Sequence, residues 1–133
     1  MKWISWGEKQ TLGHAAMDHA HKQLADLVNQ LAEAMESEKP KEFCSDTLDQ
    51  YIELTRAHFI AEEEMMERHR YPDAKEHKAL HQKLIEDVLA FKASYDASDA
   101  VESITLLVVL DSWLERDILT TDKPLAQFVA AAR

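Results

Sequence analysis

Glycine and proline are scarce, at 2 and 3 residues in a chain of 133. An all-β fold needs many tight turns, and tight turns draw on these two residues, so their scarcity disfavours one. A single cysteine, Cys44, excludes an internal disulfide, and with no motif around it the residue reads as structural. Positive charge is also short: 15 Lys and Arg stand against 25 Asp and Glu, a formal net charge of −10. Phosphate contacts need clustered Lys and Arg, so neither a nucleic acid nor an anionic membrane is an expected partner. The acidic balance reads instead as a solvated surface. Long apolar runs are missing too. The longest, Ile104 to Leu110, is broken by Thr105 and falls far short of the ~20 residues that span a bilayer. No basic leader precedes an apolar run at the N-terminus, so the expected location is the cytoplasm.

What remains is an apolar fraction of 46%, enough for a real core, and 7 histidines. The hydrophobic pattern is helical, with no convincing strand. An arm, residues 1–17, carries WISW and LGH, and its tryptophans are candidates for packing on the rest. A first helix is expected from Asp18, as N-cap, to about Ser37, where Lys39-Pro40 breaks it. A second runs from about Lys41 to Arg68, and YPD interrupts it. Asp73 with Glu76 reads as a capping box for a third helix ending near Ser94, and YDASD as a turn. Asp99 with Glu102 reads as the cap of a fourth, reaching Asp117 or a little beyond. Lys123-Pro124 is expected to end it, with a short amphipathic tail after. Short connections between four helices predict an all-α, antiparallel up-down-up-down bundle spanning about 18–118, with a tail from about 119 to 133.

Each helix carries an apolar stripe at alternating steps of three and four. The stripes are His21, Leu24, Val28, Leu31, Met35; then Leu48, Tyr51, Thr55, His58, Glu62, Met65; then His77, His81, Leu84, Val88, Phe91; then Leu106, Leu110, Trp113, Asp117. The ionisable ends are the start of the first, the end of the second, the start of the third and the end of the fourth. An antiparallel bundle brings all of these to one level. It therefore gathers His21, His58, Glu62, His77, His81, Asp117 and, just past them, Asp122 into one buried layer. His58-Glu62 and His77-His81 are i, i+4 pairs that share a helix face. Three buried carboxylates without a cation would cost several kcal/mol each, against a domain stability of about 5–15 kcal/mol. No Lys or Arg lies on the stripes at that level, so a metal centre is the economical answer. Imidazole and carboxylate without thiolate suit iron, manganese or zinc better than copper, and seven ligands suit two ions rather than one. His14, His19 and His69 lie off the layer and read as surface or supporting residues.

The motifs MDHAHKQL, HFIAEEEMM, YPDAKEHKALH and WLERDILTTDKPL cover most of the chain. In order and spacing they resemble the hemerythrin-like domains, specifically those of bacteria. The resemblance implies a four-helix bundle around a non-haem di-iron centre that binds O2 reversibly, with NO or peroxide as other possible ligands. It implies that His21 and His58 hold one iron and His77 and His81 the other. Glu62 and Asp122 would bridge the two, together with an oxo or hydroxo group. Leu24, Phe59 and Trp113 would form a dry ligand pocket. The departure is Asp117, which stands where the family has a His that serves as third terminal ligand to the iron of His77 and His81. A carboxylate there would fall short of the metal by roughly 2 Å on an unmoved backbone. Either the helix shifts, a water fills the gap, or a coordination position stays open. The implied function is O2 binding as carrier, store or sensor; the alternative is a di-iron oxidase or peroxidase-like enzyme.

Overall fold

A computed structural model of the chain describes residues 11–100 and 103–131. Among these residues every regular element is helical. Four long helices, α1 (Ala15–Glu36), α2 (Lys41–His69), α3 (Ala74–Ala97) and α4 (Ile104–Arg116), form the bundle. Helix α4 runs without interruption into a π-helical segment, Asp117–Asp122, and that into α5 (Lys123–Ala131). Helix α1 packs on α2 and α4, α2 also on α3, and α3 also on α4, the ring expected of up-down-up-down connection. No helix among the described residues is long and apolar enough to cross a membrane. Residues 1–10 of the arm, with both of its tryptophans, lie outside the described residues.

The helix ends differ from expectation in instructive ways. His14, not Asp18, is the N-cap of α1; its Nδ1 accepts from the Met17 N–H. Asp18 lies inside the first turn and reaches back, accepting from the N–H groups of Leu12 and Gly13 at 2.8 and 3.1 Å. Gly13 has φ +80°, a left-handed conformation that a side chain would strain. Helix α2 ends at Arg70, also left-handed with φ 52°, whose N–H returns to the last carbonyls. Asp73 caps α3 by position but makes no side-chain cap bond, so the capping box does not form. Helix α3 continues through Tyr95 to Ala97, into the stretch read as a turn. Its end is held by Lys41, whose Nζ donates to the carbonyls of Tyr95, Ser98 and Ala100. The cap of α4 is Ser103, which accepts from the Leu106 N–H at 3.2 Å, in place of Asp99. Pro124 does not stop the chain's helical course. It sits at the second residue of α5, directly after the π segment, and the helix continues through it.

Two apolar clusters divide the interior. The larger contains Leu24, Val28, Leu31, Leu48, Val88, Leu106, Leu110 and Ile118 with their neighbours. The smaller contains Met17, Met65, Met66, Tyr71, Leu125, Ala126 and Val129. The layer of ionisable residues falls between them rather than at an open end, because Met17, Met65 and Leu125 continue the helices just beyond His21, Glu62 and Asp122.

Candidate metal centre

Helix α1 contributes His21; α2 contributes His58 and Glu62; α3 contributes His77 and His81; the π segment contributes Asp117 and Asp122. All seven are buried, and His21, Glu62 and Asp122 are within 1% of complete burial. The i, i+4 pairs on α2 and α3 share a face by helix geometry. Asp117 and Asp122, five apart, would not: five α-helical steps of about 100° leave two side chains about 140° apart. The π segment removes this conflict. Its wider turn, closed by the Lys123 N–H on the Ile118 carbonyl, lets both carboxylates face inward.

The four Nε2 atoms point at two carboxylates. Asp122 Oδ2 lies 2.6 Å from His21 Nε2 and 3.0 Å from His58 Nε2, while Asp122 Oδ1 lies 3.2 Å from His77 Nε2. Glu62 Oε1 lies 2.8 Å from His77 Nε2 and 3.0 Å from His81 Nε2, while Glu62 Oε2 lies 2.8 Å from His58 Nε2. Each carboxylate thus shows one oxygen to the His21–His58 half and the other to the His77–His81 half. Two overlapping quartets result, His21-His58-Glu62-Asp122 and Glu62-His77-His81-Asp122, with the ligand atoms of each within 4.8 Å of one another.

Asp117 is placed differently from the position expected of the residue it replaces. Its Oδ2 is 3.8 Å from both His21 and His58, and among the described residues it forms no ion pair with His77 or His81. It belongs to neither quartet. Its Oδ1 is buried without a hydrogen-bond partner.

The electrostatics follow from burial and proximity. Burial alone would lower the His58 pKa, but close contact with Asp122 and Glu62 raises it to about 10; the same opposition raises His77 to about 9. Burial would raise Asp122, yet the bonds from His21, His58 and His77 hold it well below the usual carboxylate range. Glu62 is likewise lowered against its burial by His58, His77 and His81. Asp117 goes the other way: burial first, then the charges of Asp122 and Glu62, push it well above the ordinary value. Among the described residues no Lys or Arg pairs with any of the three. Buried carboxylates flanked by converging imidazoles, with Glu62 Oε2 and Asp122 Oδ1 in close contact yet lacking hydrogen-bond alignment, are a donor set able to hold metal.

Leu24, Phe59 and Trp113 come together as expected, around a cavity of about 20 Å³ beside the layer. The lining also includes Tyr51, Thr55, Leu84, Val88, Leu114 and Asp117, so the pocket is not wholly apolar. Tyr51 and Thr55 lie on the inward stripe of α2, which was the signal for them. Phe59 further stacks on His81, with ring centroids 3.7 Å apart and planes 5° from parallel. His14 is the helix cap described above; His19 is exposed and His69 half-buried near the end of α2, and neither joins the layer.

Fold and site together define a helical bundle with a buried histidine–carboxylate metal-binding layer. The family model described as "Hemerythrin HHE cation binding domain" matches residues 12–129, and the chain belongs to the hemerythrin family, whose members bind a di-iron centre. The chain is 28% identical over 131 residues to the bacteriohemerythrin of Stenotrophomonas maltophilia (strain R551-3), covering 98% of this chain and 84% of that one. It is 29% identical over 117 residues to the myohemerythrin of Theromyzon tessulatum, covering 88% and 86%. A solved wild-type hemerythrin superposes with a TM-score of 0.84 at 24% identity, covering 96% and 98% of the two chains, and so supports the fold.

Proposed function

We propose that this chain is an O2-binding protein, acting as carrier, store or sensor, with a di-iron centre in the layer. The observation that carries the reading is the double bridge: Glu62 and Asp122 each present one oxygen to either histidine pair. In this reading His21 and His58 hold one iron, His77 and His81 the other, and the two carboxylates join them. When bound, the metal pair supplies the electrons that reversible O2 binding needs. The chain's own residues set the conditions. Neutral imidazoles and anionic bridges fix the charge, and the two apolar clusters exclude bulk water. Leu24, Phe59 and Trp113 shape the space beside the metals.

Asp117 supports a second reading, an oxidase or peroxidase-like enzyme, because a third buried carboxylate with a free oxygen faces that space. Anionic donors favour the ferric state and shorten the life of an oxygenated form. Iron counting followed by rapid mixing of the reduced protein with O2 separates the two. Two irons per chain and release of O2 under vacuum support the binding protein. Fast, irreversible oxidation supports the enzyme, and a chain grown with ample iron that contains none rejects both.

A further inference from the structure

We propose that Asp117 is a fifth protein donor to the metal held by His21 and His58, so that the exchangeable position of the pair lies on the metal held by His77 and His81. The inference rests on the two-metal reading of the layer. In that reading each metal has four protein donors: His21, His58, Glu62 and Asp122 on one side, Glu62, His77, His81 and Asp122 on the other. The two halves are matched until Asp117 is added. Its Oδ2 lies 3.8 Å from His21 Nε2 and 3.8 Å from His58 Nε2, and among the described residues no ion pair joins it to His77 or His81. A separation of 3.8 Å is too long for a hydrogen bond. It suits two donors to one ion. Zinc, for example, lies about 2.0–2.1 Å from an imidazole nitrogen and about 2.0–2.2 Å from a carboxylate oxygen, so the two bonds together span up to about 4.3 Å.

The surroundings leave Asp117 little else to do. It is buried, its Oδ1 has no hydrogen-bond partner, and among the described residues no Lys or Arg pairs with it. In the metal-free chain its carboxyl bonds to that of Asp122, which requires a proton between the two. A metal ion replaces that proton. Asp117 lies outside the quartet of the His21–His58 half, and rotation of its carboxyl brings it onto the ion once the proton is gone. The side also matters. Asp117 lines the cavity formed by Leu24, Phe59 and Trp113, so it touches both that cavity and the His21–His58 pair. A carboxylate donor there closes the His21–His58 metal on the cavity side. The His77–His81 metal gains no fifth protein donor, and its remaining position stays open to solvent or a small ligand.

Zinc tests the assignment apart from O2 chemistry, because it does not change oxidation state. In a crystal structure of the zinc-loaded chain, an Asp117 oxygen is expected about 2.0–2.2 Å from the zinc of His21 and His58, and a solvent oxygen on the zinc of His77 and His81. Crystals of the parent and of Asp117→Asn with one equivalent of zinc then compare the two positions by anomalous scattering. The parent is expected to fill the His21–His58 position first. In Asp117→Asn the ratio of occupancies is expected to fall about 10-fold or more, the loss usual when a group that serves a metal site is removed. Should Asp117→Asn fail to fold, the parent structure decides. Asp117 on the other zinc, Asp117 on neither, an unchanged ratio in Asp117→Asn, or a parent that takes up no zinc overturns the proposal. A chain that holds two irons with Asp117 remote from both loses this inference and keeps the functional reading. One with the expected zinc arrangement that takes up no iron keeps this inference and loses the functional reading.

Discussion

The ring of Phe59 lies flat on the imidazole of His81, 3.7 Å between centroids, and fixes the plane in which His81 presents Nε2 to Glu62. Phe59 is itself almost fully buried. Phe59→Ala is expected to destabilise the chain by about 3–5 kcal/mol and to weaken metal binding at the His77–His81 half more than at the other. Denaturant unfolding and metal titration measure the two effects. Loss of stability with unaltered metal affinity would show that the stacked ring supports packing alone.

Glu62 reaches both histidine pairs, and His69 reaches neither. Glu62→Ala is expected to abolish two-metal binding, whereas His69→Ala retains it. Metal content per chain after loading and desalting gives the comparison, and equal loss in both variants would contradict the layer.

Metal uptake is expected to release protons at neutral pH. In the metal-free chain, the raised pKa values of about 10 for His58 and about 9 for His77 keep both imidazoles protonated at pH 7, and a metal ligand must be neutral. Metal affinity should therefore rise with pH up to about 10. The metal-free fold should respond oppositely. A histidine pKa raised above its unfolded value of about 6.5 adds stability that is fully present below that value, and this stability is lost as pH rises through 9 to 10. Calorimetric titration in buffers of different ionisation enthalpy counts the protons, and thermal melts across pH follow the stability.

Asp117 is the least well served of the three carboxylates, pushed up by burial and by Asp122 and Glu62. Asp117→Asn is expected to raise the melting temperature of the metal-free chain by a few degrees at neutral pH, since it removes the cost of burying an ionisable carboxyl beside Asp122 and Glu62 without changing shape. Asp117→His is expected to bind iron more tightly and to slow decay of the oxygenated form. Iron titration and decay kinetics in one buffer test the second expectation, and values equal to the parent would show that the position does not limit the site.

The six residues of the two quartets were legible in the sequence because five sit on α-helical stripes, and i, i+4 spacing carries directly into shared faces. Asp122 lies off the α-helical stripe that ends at Asp117; its place just past that end put it in the layer, and the family resemblance implied its bridging role. The side of the layer on which Asp117 lies was not legible. A 3.6-residue period presumes α geometry, and the chain leaves it at this point. The caps were misread for a related reason. Asp18, Asp73 and Asp99 all have capping chemistry, but His14 and Ser103 won two of the positions through the paths of their loops, and a sequence does not display those. The smaller apolar cluster was hidden because Met17, Met65 and Leu125 look like ordinary continuations of their helices until the fold sets them together.

The π segment couples two registers that would otherwise be independent. Asp122 and the packing residues Leu125, Ala126 and Val129 lie on one continuous helical path after it, so they share a rotational phase. Removing one residue between Asp117 and Asp122 would tighten the turn to α geometry and rotate everything downstream by about 100°. The shorter chain would gain a more regular helix, but its bridging carboxylate and its second core would swing away together. The extra residue in that turn therefore works as a phase-setting insertion, and the C-terminal core acts as the lock that makes its angle the only one the folded chain accepts.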